Sequence, residues 1–248
     1  MTFEDHYSGH ADAYARHRPR YPDDLFAWLA SVIPGRALAW DAGTGNGQVA
    51  LALTEHVDRV VATDASADQL ARAEAHERVE YRNEPANRVS LPAGSVDLIT
   101  AGAAAHWFEL EGFYREVRRV GKRGAVVALF SYGPRDVADA VAGPIVHRFQ
   151  EEVLDGFWPE RIQYVHDRYA TLPFPFDEIA VPPFVMTAEW TLGELLAFLD
   201  TWSASQRYFQ QRGTRAVDAI AADLAQAWGD PDCRREIRCP LFARVGRL

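Results

Sequence analysis

Short apolar runs alternate with amphipathic segments along the first half of the chain. Five runs are rich in the β-branched and aromatic residues that are typical of buried strands: ALAWD (37–41), RVVATD (59–64), RVEYR (78–82), SVDLITA (95–101) and GAVVALFSY (124–132). Four segments have the spacing of amphipathic helices: 23–33, 47–56, 66–75 and 109–120. Strands that alternate with helices predict a mostly parallel sheet with helices on both faces.

The pattern changes after Tyr132. Residues 134–180 contain several helical stretches and part of the proline- and aromatic-rich sequence TLPFPFDEIAVPPF. Because this segment is too short to carry a core of its own, we expect a lid inserted after the fifth strand. The alternation then returns with a strand at 184–190, a helix at 191–202 and a final strand at 235–248. The sequence therefore predicts one α/β domain over 1–248, with an aromatic and basic flap at 1–22.

Composition narrows the class of protein. The chain has 248 residues, a formal net charge of −9 and only short arginine clusters, which disfavours a nucleic-acid partner. Cys233 and Cys239 lack a neighbouring histidine pair, so we expect free thiols in the cytoplasm. The N-terminal stretch lacks the apolar region of a signal peptide. No run reaches the roughly 18 apolar residues of a membrane span, so no membrane partner is expected.

The sequence DAGTGNG, Asp41 to Gly47, joins the first predicted strand to the next helix. Glycine lets a backbone turn tightly and lets a ligand approach it closely. A helix that begins directly after such a loop offers free backbone amides to a nucleotide-like ligand. Asp64 closes the second strand, 21 positions after Gly43, where nucleotide-binding folds place the acceptor for a ribose hydroxyl.

Asp41 changes which ligand this loop favours. The spacing Gly43-x-Gly45-x-Gly47, followed by Gln48, departs from the dinucleotide pattern G-x-G-x-x-G/A. A carboxylate in front of the loop would repel an anionic pyrophosphate and attract a cation. S-adenosylmethionine carries a sulfonium, an ammonium and a ribose diol. We therefore expect this cofactor, with S-adenosylhomocysteine as its product, and regard a nicotinamide-dependent oxidoreductase as the less favoured alternative.

Several stretches together resemble class I S-adenosylmethionine-dependent methyltransferases. Four carry the resemblance to the class: DAGTGNG, TDAS (63–66), LPAGSVDLITAGAAAHWFE (91–109) and FYREVRRVGKRGAVVALFSY (113–132). Two are similar to the group that contains trans-aconitate methyltransferase: YARHRPRYPDDLFAWL (14–29) and EWTLGELLAFLDTWSASQRY (189–208). The resemblance implies a Rossmann-like, seven-stranded sheet with an antiparallel last strand. It also implies methyl transfer to a small molecule, mainly by positioning for in-line displacement.

The resemblance also implies the cofactor-binding residues. The glycine loop would line the methionine end, Asp64 would bind the ribose, and Ala86-Asn87 would replace the small residue and acid that meet the adenine in relatives. The carbonyl of Asn87 can still accept a hydrogen bond there. The expected set is Arg18, Asp41, Gly43, Thr44, Gly45, Asn46, Gly47, Asp64, Ala65, Gln69, Ala86, Asn87, Ala103, His106 and Trp107. We expect no metal, because no carboxylate cluster that could hold Mg²⁺ follows the strands.

His106 and Trp107 follow the fourth strand, at the edge where ligands of open α/β sheets bind. His106 could act as a base or shape the loop by hydrogen bonding, and His10 is a second candidate base. Trp107 is expected to cover the cofactor, and Arg18 could hold a carboxylate with its bidentate fork. The expected substrate-binding residues are Tyr7, Tyr14, Tyr21, Trp107, Tyr132, Trp158, Trp202 and Ser203.

The acceptor stays open at this stage. Seven tryptophans and nine tyrosines favour flat pocket walls for a planar N-heteroaromatic or other secondary metabolite. Esterification of a small organic acid is the alternative, favoured by four arginines: Arg18, Arg148, Arg161 and Arg168. A protein that binds S-adenosylmethionine without turnover is a more distant alternative. A monomer and a homodimer are both compatible with the sequence.

Overall fold

The structure is a computed structural model, and it describes residues 20–133 and 139–248. In these ranges eight strands form the sheet: β1 Ala39–Ala42, β2 Val60–Asp64, β3 Val79–Asn83, β4 Val96–Gly102, β5 Gly121–Tyr132, β6 Asp177–Glu178, β7 Val185–Trp190 and β8 Arg235–Arg247. Strands β1 to β5 pair in parallel, and β8 runs antiparallel to β5. The order β3-β2-β1-β4-β5-β8-β6 confirms the predicted Rossmann-like architecture with an antiparallel last strand.

The described residues contain one strand more than the seven that were predicted. The addition is the two-residue strand β6, which pairs with the end of β8. The long strand β8 changes partner along its length: residues 235–240 pair with β7, and residues 241–247 pair with β5. This change of partner creates a small second sheet beside the main one.

The described ranges contain nine α-helices. They are α1 Asp23–Val32, α2 Gln48–Leu53, α3 Ala67–Leu70, α4 Leu110–Val120, α5 Gly143–Arg148, α6 Gln163–His166, α7 Leu192–Asp200, α8 Ser203–Arg212 and α9 Ala221–Trp228. The prediction of a ten-residue helix over 66–75 was wrong in length, since α3 ends at Leu70. Most residues of 71–75 are exposed, so no buried apolar face sustains the helix there. Ser66 nevertheless caps α3 by accepting a hydrogen bond from the Gln69 amide at 3.3 Å.

The buried side chains form three clusters. Two lie in the main sheet's core, centred on Trp40 and Phe113 in one and on Phe26 and Phe130 in the other. The third, which we call the helical core, joins the second sheet to helices α7 to α9 and to residues 142–158; its largest members include Phe149, Trp190, Phe198, Trp202 and Trp228. Within residues 20–133 and 139–248, no helix combines the length and the apolarity needed to cross a bilayer.

The segment that was predicted as a lid contributes to two of these clusters. Phe149 is buried in the helical core, whereas Ile162, Val165 and Tyr169 pack into the core of the main sheet. The segment from 139 to 180 is therefore tied to the body of the protein by apolar contacts. Opening and closing as a lid remains a prediction.

Candidate active site

The loop between β1 and α2 needs its three glycines for different reasons. All three have positive φ, at 66° for Gly43, 58° for Gly45 and 89° for Gly47, a region that other residues rarely adopt. A Cβ at Gly43 would lie 2.7 Å from the Cβ of Ala104, and one at Gly47 would overlap the hydroxyl of Tyr81. A Cβ at Gly45 would meet only the Oε1 atom of Gln69, at 3.9 Å. Gly45 is therefore the glycine that faces open space and leaves room for a ligand.

Asp64, at the end of β2, braces this loop. Its Oδ2 accepts a hydrogen bond from the Gly45 amide and its Oδ1 accepts one from the Ser66 amide, each at 2.8 Å. The side-chain amide of Asn83 donates to the Asp64 carbonyl at 2.9 Å. A carboxylate has about four lone-pair sites and can accept from several donors at once. The sequence indicated Asp64 as a ribose acceptor but missed its hold on the glycine loop.

Asp41 lies behind the loop rather than in it. The side chain is fully buried, and its two oxygens accept hydrogen bonds from the hydroxyls of Thr44 at 2.6 Å and Thr100 at 2.8 Å. Burial raises the pKa of Asp41 to about 7, although the two hydroxyl hydrogen bonds act in the opposite direction. The negative charge of Asp64 raises this pKa further. A cation bound near the loop would favour the charged form of Asp41.

The side-chain oxygen of Gln69, Oε1, lies close to the open space at Gly45. The residue is only 6% exposed, and among the described residues its Oε1 has no hydrogen-bond partner. A buried acceptor without a donor costs free energy, so it marks a position where a ligand can supply the donor.

The other predicted cofactor residues follow β1, β2 and β3 along this edge, with Asn46 and Ala86 half-buried and Ala65 and Asn87 exposed.

The loop after β4 carries backbone strain and two aromatic side chains. Ala103 has a φ of 52°, and its amide donates to the Phe130 carbonyl at 2.8 Å. A single helical turn follows, Ala105–Trp107, and it buries His106. The His106 ring lies 4.7 Å from the Trp107 ring, centre to centre, and its Nδ1 is 2.9 Å from the Tyr169 hydroxyl. Tyr169 was missed by sequence reasoning, because no local pattern links it to a histidine 63 positions away.

The predicted substrate-binding aromatics differ in how deeply they are buried. Trp107 and Trp158 are half-buried, whereas Tyr132 and Trp202 are each 7% exposed and pack in the helical core. Trp158 and Trp202 are 5.9 Å apart, which links the two groups.

Tyr21 packs edge-on against Phe130 at 5.0 Å, and Ser203 is buried at the start of α8. Four predicted residues, Tyr7, His10, Tyr14 and Arg18, lie outside the described residues. The roles predicted for these side chains, in cofactor binding for Arg18, in catalysis for His10 and in substrate binding for the others, stay predictions.

These features define a class of protein. A glycine-rich turn between a strand and a helix, with an acid at the end of the next strand, is the nucleotide-binding arrangement of open α/β sheets. Two carboxylates beside the turn, Asp41 and Asp64, disfavour a ligand with phosphates and favour a cationic one. The free oxygen of Gln69 and the open space at Gly45 fit an uncharged or cationic adenosine derivative.

Comparison with known proteins identifies the family. Residues 40–129 match the family model described as a methyltransferase domain. A solved structure from Anaeromyxobacter dehalogenans, provisionally named a type II methyltransferase, is 40% identical, covers 93% of this chain and 97% of its own, and superposes with a TM-score of 0.86. A Dictyostelium discoideum protein provisionally named a methyltransferase is 28% identical over 93% of this chain and 89% of its own. The YcgJ protein of Bacillus subtilis, 17% identical with a TM-score of 0.53, shares the fold.

The chain therefore belongs to the class I S-adenosylmethionine-dependent methyltransferases. It is an enzyme of this family, and the family implies S-adenosylmethionine as the cofactor. The residues present fit that molecule. Gly45 leaves room for it, and the buried Oε1 of Gln69, which has no partner among the described residues, can accept a hydrogen bond from it.

Proposed function

We propose that this methyltransferase acts on a planar N-heteroaromatic or other secondary metabolite and methylates it on nitrogen or oxygen. The observation that carries the proposal is the shared edge of the sheet: the open position at Gly45 and the rings of His106 and Trp107 all follow the carboxyl ends of β1 and β4. Flat side chains at that edge suit a flat acceptor, since offset stacking favours planar partners.

The cofactor would be held by the first three strands of the sheet. In this proposal Asp64 accepts from the ribose, Gln69 accepts from an adjoining donor, and Ala86-Asn87 borders the adenine. Asp41 stabilises the cationic methionine end from behind the loop, through Thr44 and by its charge. When bound, S-adenosylmethionine supplies an electrophilic methyl group. The residues of this chain contribute by aligning the acceptor with that group and by excluding water.

Three of the four arginines of the alternative proposal, esterification of a small organic acid, have partners in the structure, and the fourth, Arg18, lies outside the described residues. Arg148 forms an ion pair with Asp223, Arg161 donates to the Phe108 carbonyl at 2.7 Å, and Arg168 lies over the Phe242 ring at 5.7 Å. Such engagement reduces their availability to a carboxylate. Of these three, Arg161 is the one beside the loop after β4, so it is the candidate carboxylate ligand if an acid is the acceptor.

Labelled transfer tests the proposal directly. The purified protein is incubated with methyl-labelled S-adenosylmethionine and a small-molecule extract of its source, and the labelled product is then treated with mild base. Label that resists base supports N- or O-aryl methylation, whereas label released by base identifies a methyl ester and the organic-acid alternative. Binding of the cofactor without any transfer would leave a non-catalytic protein.

A further inference from the structure

Two consecutive residues between β5 and β6 adopt a backbone conformation that bulky side chains rarely take. The φ angles of Arg168 and Tyr169 are 52° and 61°, both in the left-handed region. Strain of this kind persists only where the surrounding structure over-determines it, and it concentrates at functional positions. Contacts with the surrounding structure must therefore hold Tyr169 in this conformation.

Strand β8 and the preceding turn hold Tyr169 in place. Its amide donates to the Tyr164 carbonyl at 2.7 Å. Arg244 on β8 donates to the carbonyls of Tyr169 at 3.4 Å and of Leu172 at 2.9 Å. The Tyr169 ring packs edge-on against Phe242, 5.1 Å away, and is completely buried. The tyrosine is thus fixed through its backbone and its ring.

This conformation brings the Tyr169 hydroxyl to the loop after β4. The hydroxyl is 2.9 Å from Nδ1 of His106, and His106 is itself only 4% exposed. Ala103, three residues before His106, also has a left-handed backbone with φ of 52°. Two strained segments from distant parts of the chain therefore meet at one buried hydrogen bond, at the edge of the sheet where the cofactor site lies.

The chemistry of the two groups indicates the direction of this hydrogen bond. A phenol is a stronger acid than the N–H of a neutral imidazole, and an imidazole nitrogen is a better acceptor than a phenol oxygen. The Tyr169 hydroxyl is therefore expected to donate to Nδ1. A neutral ring whose Nδ1 is an acceptor carries its proton on Nε2, which then becomes a donor.

We infer that Tyr169 is a positioning residue that holds His106 in the Nε2–H tautomer. In this arrangement His106 offers a hydrogen bond to the acceptor molecule and does not act as a general base. A fixed N–H donor can bind a nitrogen or oxygen of a planar acceptor next to the atom that is methylated, which leaves the lone pair of that atom free to attack in line. Such positioning is the contribution that this class of reaction needs most. The inference rests on the proposed function and assigns a residue of the predicted lid to the reaction.

Nuclear magnetic resonance of the whole protein tests the tautomer without a substrate. The protein is labelled with ¹⁵N-histidine and studied at about pH 8.5, well above the usual imidazole pKa of about 6.5. The His106 signals are assigned by their loss in His106→Gln. We expect a protonated Nε2 and an unprotonated Nδ1, whose resonance shifts in Tyr169→Phe. A proton on Nδ1 in the unmodified protein overturns the inference.

Activity measurements separate positioning from a structural role. The matched control is Tyr114→Phe, because the buried Tyr114 hydroxyl also binds the same segment, donating to the Pro173 carbonyl at 2.5 Å. In the labelled-methyl assay, Tyr169→Phe is expected to lower kcat by about tenfold or more, with unchanged affinity for S-adenosylmethionine. Tyr114→Phe is expected to retain kcat.

Three results contradict the inference in different ways. Equal losses of kcat in both variants, in proportion to their thermal stability, show that Tyr169 is structural only. An unmodified protein that binds the cofactor but transfers no label overturns the proposed function, and the role of Tyr169 with it. An active protein with the wrong tautomer overturns the role of Tyr169 alone.

Discussion

Asp97 and Asp41 are buried acids at opposite ends of the same sheet, and they are held in different ways. Asp97, at the amino end of β4, accepts from Lys122 Nζ at 2.8 and 2.7 Å and from the amides of Ala37 and Leu38 at 3.1 and 3.2 Å. Asp41, near the carboxyl end of β1, has hydroxyl partners on both of its oxygens. The first acid is neutralised by a cation, whereas burial without a cation raises the pKa of the second to about 7.

The same contrast extends to the neighbours of each acid. Beyond Asp97, Glu116 binds Arg119 and the Val89 amide, and Arg119 keeps the pKa of Glu116 below its usual value. At the carboxyl end of the sheet, Ala103 after β4 has a left-handed backbone, and the Oε1 of Gln69 after β2 has no hydrogen-bond partner among the described residues. Asp97 and Glu116 at the amino end thus have partners within the protein, whereas the Gln69 oxygen at the carboxyl end has a position that a ligand donor can fill.

The largest expected effect concerns the pH dependence of stability. Because the pKa of Asp41 rises from 3.8 to about 7 on folding, the folded state binds a proton more tightly than the unfolded state between these values. The contribution of Asp41 to the free energy of unfolding therefore falls as pH rises from about 4 to about 7. The expected decrease is about 4 kcal/mol over the whole range and about 3 kcal/mol between pH 5 and 8.

The measurement compares denaturant unfolding of the protein and of Asp41→Asn at several pH values. The difference in the free energy of unfolding between the protein and the variant should decrease by this amount as pH rises, since asparagine does not titrate. Parallel curves would show that Asp41 is ionised with a normal pKa and that the contrast with Asp97 does not exist.

The second effect is on cofactor binding at Gly45. Replacement by valine fills the open space and strains a residue with positive φ, so S-adenosylmethionine binding should weaken by about 100-fold or more, roughly 3 kcal/mol. Calorimetric titration measures it. Gly94→Val is the matched control, because Gly94 also has a positive φ of 61° and open space around it. Unchanged affinity in Gly45→Val would remove the loop from the cofactor site.

The third effect is on stability at the other end of the sheet. Asp97→Ala leaves Lys122 and two amides without their acceptor, and we expect a loss of about 2–3 kcal/mol, reduced by the partial exposure of Lys122. Urea unfolding measures the loss. The folded variant should bind S-adenosylmethionine as tightly as the unmodified protein does. A large change in affinity would show that the two ends are coupled.

The smallest effect is expected for Asp64→Ala, which removes the proposed ribose acceptor and one brace of the glycine loop. Hydrogen bonds to a charged group contribute about 1.5–3 kcal/mol, so S-adenosylmethionine affinity should fall by about tenfold to 100-fold. Glu80→Ala on β3 is an exposed control acid. Equal affinity of Asp64→Ala and the unmodified protein would place the ribose acceptor elsewhere.

Much of the fold and part of the site follow from local patterns. The strands β1 to β5, the turn of Gly43, Gly45 and Gly47, and the position of Asp64 are encoded within short stretches of chain. These features depend on residues that are neighbours in the chain: the strands on their periodicity, and the turn on the backbone freedom of glycine. They can therefore be predicted from a single sequence. The length of α3 was mispredicted, because it depends on whether residues 71–75 find a surface to pack against.

The remaining features depend on which distant residues meet. Short stretches of sequence predict an α/β sheet, a glycine loop suited to S-adenosylmethionine, and an acid at the end of the second strand. Long-range packing sets the change of partner along β8, the buried position of Trp202, the two hydroxyls that bind Asp41 and the contact of Tyr169 with His106. Local periodicity records which face of an element is buried, but the partner on the other side is set by packing of the whole chain.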